Sequence, residues 1–142
     1  MWGVVACYPI YACIMKLMTD SGLGGVMSEW IVSISTADTL PVFTYLSAGL
    51  VNIFVPSAGG QWAVQAPFVA PAAISLGTDM WKAVIPVALG DCWTNMLQPF
   101  WAIPILGICR VKVKEMIPYT FAIAVFAGVV GCLWFGIVFP FF

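Results

Sequence analysis

Residues 39–78 contain no Asp, Glu, Lys or Arg, and the centre of that stretch reads Val55-Pro56-Ser57-Ala58-Gly59-Gly60-Gln61-Trp62-Ala63-Val64-Gln65-Ala66-Pro67. The pattern is that of a membrane segment interrupted by a polar, glycine-rich break. Backbone amides released from a helix at bilayer depth find no water. Such a break persists only where protein surrounds it or where it lines a cavity that something polar enters. The feature points to transport.

Composition sets the solvent. The chain is 63% hydrophobic and 8% charged, with a mean hydropathy of +1.05, too little polar material to cover a soluble domain of 142 residues. A span needs about 20 apolar residues, which leaves room for about three to five membrane segments and no separate soluble domain. The expected fold is an all-α membrane protein, a polytopic helical bundle with broken or re-entrant helices, and residues 1–142 form one transmembrane unit. No basic stripe exists for nucleic acid. Cys7, Cys13, Cys92, Cys109 and Cys132 form no C-x-x-C pair and no histidine is present, so zinc, haem and Cys/His nucleophile sites have no ligands; packing accounts for the cysteines. Neither a metal site nor a catalytic set is expected, and an enzyme is the weakest class. No positive n-region or A-x-A site marks a cleaved leader.

Along the chain, Met1–Met15 reads as a short or re-entrant span interrupted by Pro9. A turn-rich linker follows at Thr19–Gly25, and an interfacial amphipathic piece at Met27–Ile34 carries Glu29 and Trp30. Leu40–Val55 and Pro67–Leu76 read as two helical pieces, each with proline near its start. Ala83–Cys109 carries a second polar insertion, Gly90-Asp91-Cys92-Trp93-Thr94-Asn95-Met96-Leu97-Gln98-Pro99, and Pro86, Pro99 and Pro104 exclude one straight helix. Arg110–Glu115 gathers three of the five basic residues, which the positive-inside rule places in the cytoplasm. Ile117–Phe139 is an uncharged, unbroken final span, and Ala124, Gly128 and Cys132 give it a small-residue packing face. Lys16 and Lys82 read as interfacial anchors.

Each insertion suits a different charge. In the first, glycines let the chain leave helical geometry. The helix that restarts presents unpaired N–H groups to a carboxylate. Ser57, Gly59, Gly60, Gln61 and Gln65 supply the polar seat, and Trp62, with Phe54 and Phe68, walls an apolar tail. In the second, Asp91 is costly in hydrocarbon and is expected to face a cavity, take a proton or hold a cation. Thr94 and Asn95 stand three and four residues on, sharing its helical face, and Gln98 continues that side. Their oxygens suit Na⁺, or the site handles H⁺. The bland alternative for Asp91 is a helix cap. With no Lys or Arg inside either insertion, small monoanions are favoured over dicarboxylates.

Those two insertions, together with Ser35-Thr36-Ala37, Leu46-Ser47-Ala48-Gly49 and Phe100-Trp101-Ala102, carry a resemblance to the bacterial short-chain fatty acid transporter family. The P-S-x-G-G-Q-W-A-V-Q run is the specific element; G-D-x-x-T-N is shared more widely among ion transporters. The resemblance implies a multi-pass secondary transporter of the bacterial inner membrane, built from repeats, taking acids such as butyrate or acetoacetate with H⁺ or Na⁺ and needing no cofactor. It covers the C-terminal portion of the family pattern only. The partners it implies are membrane lipid, the short-chain carboxylate and the missing N-terminal half. The rival readings are a non-transporting fragment that packs with a partner half and a carrier for another organic anion.

Overall fold

The computed structural model describes residues 9, 12–14, 16–17 and 20–141. Most of the Met1–Met15 stretch therefore lies outside the described residues. Among those described, six α-helices follow in order: α1 Leu23–Ser33, α2 Leu40–Asn52, α3 Ala58–Ser75, α4 Trp81–Asn95, α5 Pro99–Cys109 and α6 Val113–Leu133. A π-helical turn at Trp134–Val138 and a 3-10 turn at Phe139–Phe141 close the described chain. The fold is all-helical.

Both interruptions are shorter than the sequence suggests. Pro56 disfavours helix at Val55, and Ser57 is extended (φ −153°, ψ 112°) with its hydroxyl accepting the Gly60 N–H at 3.4 Å. This N-cap starts α3 at once. Gly59 through Gln65 are consequently helical rather than part of a loop, and the break is confined to residues 53–57. The positive-φ glycines among the described residues are Gly22 and Gly77. Gly77 ends α3 in a Schellman turn, with Thr78 N–H on Ala73 O at 2.9 Å. The piece expected to open at Pro67 is instead the second half of α3, which keeps Pro67 and Pro71 in its interior. Both prolines lie on the exposed side, where the carbonyls they leave unpaired need not be buried.

The second interruption shrinks in the same way. Gly90 to Asn95 belong to α4, and only Met96–Gln98 leaves helical geometry before Pro99 opens α5 from a first-turn position. Asp91 is thus inside a helix and does not cap one.

One described helical run is long and apolar enough to cross a membrane alone. It is Val113–Val138, 26 residues whose most apolar window has a mean hydropathy of 2.4. Only 17% of its most apolar window is buried, whereas the core helix of a soluble protein would be mostly enclosed. The final span begins four residues earlier than expected and is not α-helical throughout, because its last turn widens to a π-helix. The other helices among the described residues fall short of the length or the apolarity needed to cross unaided. Glu29 and Trp30 on α1 are exposed.

The most extensive helix pairing joins α2 to α4. Gly90 permits it: a Cβ there would stand 2.5 Å from Tyr45 O and 2.7 Å from Ala48 Cβ. Trp93 then ties three helices together. Its ring lies against Gly49 of α2 and Gly128 of α6, it stacks on Tyr45 with centroids 4.9 Å apart, and its indole N–H donates to Ala124 O at 2.7 Å. The small-residue face of α6 receives these aromatics, with Cys132 packed against the Tyr45, Phe135 and Phe139 cluster. A second apolar cluster, with Leu40, Ala48, Val69, Ala73, Ala83 and Val87, fills the space among α2, α3 and α4.

Two stability changes follow from this packing. Gly90→Ala drives a methyl into backbone and is expected to cost about 1–3 kcal/mol; Trp93→Ala empties the three-helix junction and is expected to cost about 3–5 kcal/mol. Thermal unfolding of the purified variants in lipid nanodiscs, beside a Trp30→Ala control on the exposed face of α1, measures both.

Candidate functional site

α2 is amphipathic in an unusual sense: in an uncharged helix, Thr44, Ser47 and Asn52 all turn inward and are fully buried. Polar groups taken out of water must find partners; Ser47 and Asn52 find them on the two interrupted segments, while the Thr44 hydroxyl finds none among the described residues.

Asn52, the last residue of α2, is the centre of the first cluster. Its Nδ2 donates to Asp91 O at 2.8 Å, Thr94 Oγ1 at 2.9 Å and Asn95 Oδ1 at 3.1 Å. Asn95 Nδ2 in turn donates to Asp91 Oδ2 at 3.2 Å, and Gln98 Nε2 caps the Asn52 carbonyl at 2.5 Å. Asp91, Thr94 and Asn95 are therefore brought together with Asn52 and Gln98. Asp91 is 5% exposed and Gln98 8%. The chain's five cationic side chains lie elsewhere. Lys16 pairs with Asp20 at 2.8 Å, Lys82 sits over the Trp81 ring, and Arg110, Lys112 and Lys114 are exposed beside α6.

A second cluster hangs on α2 one turn earlier. Gln61 Nε2 donates to Ala48 O at 2.9 Å and to Gln65 Oε1 at 3.0 Å, and Gln65 Nε2 donates to Ser47 Oγ at 3.2 Å. Ser47 passes its own proton to Thr44 O at 3.0 Å. Gln61 and Gln65 are thus buried and committed to α2. Trp62 is half-buried and packs on the apolar cluster around Val69, while Gly59 stands open, with no atom within 4 Å of where a Cβ would project. Ser57, Gly59 and Gly60 form the partly exposed start of α3, and Gln61 and Gln65 lie on its buried face. The six residues of the expected carboxylate seat do not form one surface.

The two interruptions nonetheless meet, because Gln98 from one reaches the end of the helix that leads into the other. Clefts on the surface include one of about 350 Å³ beside Glu29, Pro67 and Pro71, and an apolar one of about 380 Å³ between Trp93, Met96 and α6. Five buried oxygens have no hydrogen-bond partner among the described residues: Thr44 Oγ1, Asn52 Oδ1, Gln61 Oε1, Asp91 Oδ1 and Gln98 Oε1. No group of three His, Cys, Asp or Glu side chains comes together among the described residues, so a transition-metal centre has no ligand set there.

Sequence reasoning missed Asn52, Ser47 and Thr44. Their signal is present as polar residues on one face of an otherwise apolar helix, but a serine, threonine or asparagine in such a position carries little weight until its neighbour is known.

Comparison with known proteins adds the identity of the pattern. The chain matches the family described as "Short chain fatty acid transporter" over residues 1–139. It is 44% identical over 128 residues to an Escherichia coli (strain K12) protein and 39% identical over 126 residues to a Haemophilus influenzae (strain Rd) protein. Both carry the name "Putative short-chain fatty acid transporter". The matches cover 90% and 89% of this chain but only 29% and 28% of those relatives. No solved structure matches. With residues 1–139 matched, the chain belongs to the short-chain fatty acid transporter family.

Proposed function

We propose that this chain is the C-terminal portion of a secondary transporter that carries short-chain fatty acids such as butyrate or acetoacetate across the bacterial cytoplasmic membrane with H⁺ or Na⁺. The observation that carries this reading is a carboxylate enclosed at the meeting of two helix interruptions, within a chain of transporter kinship. Charged groups at membrane depth are expensive and are retained where an ion or substrate passes. The short helices on either side of each break suit a polytopic bundle of interrupted spans, one part of a repeat-built carrier whose remainder supplies the other repeat.

In this reading the substrate carboxylate is held at the start of α3. Gly59 offers a backbone N–H at the positive end of a helix, and the Ser57 and Gly60 N–H groups, held here by Val55 O and the Ser57 hydroxyl, join it once the start of α3 opens. Gln61 and Gln65 contribute once alternating access releases them from α2, and Trp62 shields the acyl chain. Asp91 carries the coupling ion, with Thr94 and Asn95 in its supporting polar network. The alternative, a non-transporting segment that packs with a partner half, draws on the chain spanning 29% of its relatives.

Counterflow of labelled butyrate in proteoliposomes separates the two, with the chain alone and with the chain joined to the first two thirds of a relative. Saturable counterflow in either form supports transport; none in both supports the packing role. Within an active form, Asp91→Asn is expected to reduce ion-driven uptake by about tenfold or more at unchanged protein level, a loss of about 1.4 kcal/mol or more. Uptake that keeps its ion dependence removes Asp91 from coupling. Gly59→Val adds bulk at the start of α3 and is expected to raise the half-saturating butyrate concentration without removing ion dependence.

A further inference from the structure

Three of the five partnerless oxygens belong to one hydrogen-bonded cluster: Asn52 Oδ1, Asp91 Oδ1 and Gln98 Oε1. Their amide orientations are dictated by neighbours. Turning Asn52 over would set its oxygen against the carbonyl of Asp91 and the oxygens of Thr94 and Asn95, and turning Gln98 over would set oxygen against the carbonyl of Asn52. The nitrogens are therefore used, and the oxygens are left without donors. Asn52 is fully buried, Asp91 is 5% exposed and Gln98 8%, so these oxygens are covered by this chain itself.

The surrounding field has the same sign. Asn52 is the last residue of α2, and Asp91, Thr94 and Asn95 occupy the end of α4, so two helices direct their negative ends at the cluster. A negative side chain at two negative helix ends, with no ammonium or guanidinium beside it, is electrostatically incomplete.

We propose that this cluster is a sodium site, with Asp91 Oδ1, Asn52 Oδ1 and Gln98 Oε1 as its protein ligands. One carboxylate with two neutral amide oxygens matches a monovalent hard cation, whereas divalent sites generally gather more charge. A proton on Asp91 would serve a single acceptor and leave the remaining oxygens unpaired. Thr94 and Asn95 act as positioning residues, since their oxygens are already engaged by Asn52, which they hold in place. The site stands on this geometry; its use in coupling rests on the transporter reading above.

The test is thermal unfolding of the purified protein in nanodiscs, titrated with NaCl against choline chloride at constant ionic strength and without fatty acid. A ligand that binds only the folded state raises its unfolding midpoint in a saturable manner. Sodium is expected to do so, with choline inert, and Asp91→Asn and Gln98→Ala are expected to shift the half-saturating sodium concentration upward by about tenfold or more, whereas exposed Trp30→Ala leaves it unchanged. A midpoint indifferent to sodium, one moved equally by choline, or one that responds to pH alone overturns the site. If the variants do not fold, the titration of the unaltered protein decides by itself. Since no acid is present, failure of butyrate counterflow leaves this result standing, and failure here leaves the counterflow result standing.

Discussion

The close approach of α2 and α4 at Gly90 is the contact on which the rest depends. It brings the two backbones within reach, so that the short side chain of Asn52 can bond to the carbonyl of Asp91 and to two side chains of the same helix. A methyl at position 90 would press on Tyr45 O and Ala48 Cβ, push the helices apart and weaken those hydrogen bonds. Trp93, three residues further along α4, uses the same closeness to lie between Gly49 and Gly128, which ties α6 into the assembly. Small residues at the helix contacts thus govern both the packing and the polar cluster.

A polar interior of this kind is expensive in an apolar protein, and the chain reduces the cost in two ways. Side-chain amides cap helix carbonyls, as Gln98 does for Asn52 and Gln61 does for Ala48. Helix breaks are kept to a few residues, because Ser57 and Pro99 restart helices at once. What is left over is an excess of acceptor oxygens around one carboxylate, a pattern that hydrogen bonding within the protein does not complete.

Much of this organisation is legible in the residues. Pro99 marks the second break, Asp91, Thr94 and Asn95 lie on one helical face as their spacing requires, and the small face of α6 packs as its period suggests. Other features are not. Gly59-Gly60 looks like a loop because glycine is permissive, yet Ser57 supplies a cap that makes the next residues helical. Pro67 looks like a helix start, yet it sits on an exposed face where an unpaired carbonyl is tolerated. Gln61 and Gln65 look like parts of an open seat, yet α2 offers them a carbonyl and a hydroxyl that enclose them.

The sequence by itself determined the all-helical, membrane-seeking character of the chain, the approximate places where its helices stop, and its family, since hydropathy, proline position and a specific motif are local properties. Only the tertiary structure decided which polar groups are spent on one another and which remain unsatisfied. Hydrogen bonding between helices depends on separations of a few tenths of an ångström. Those separations are fixed at Gly90 and Trp93 by packing between residues far apart in the chain.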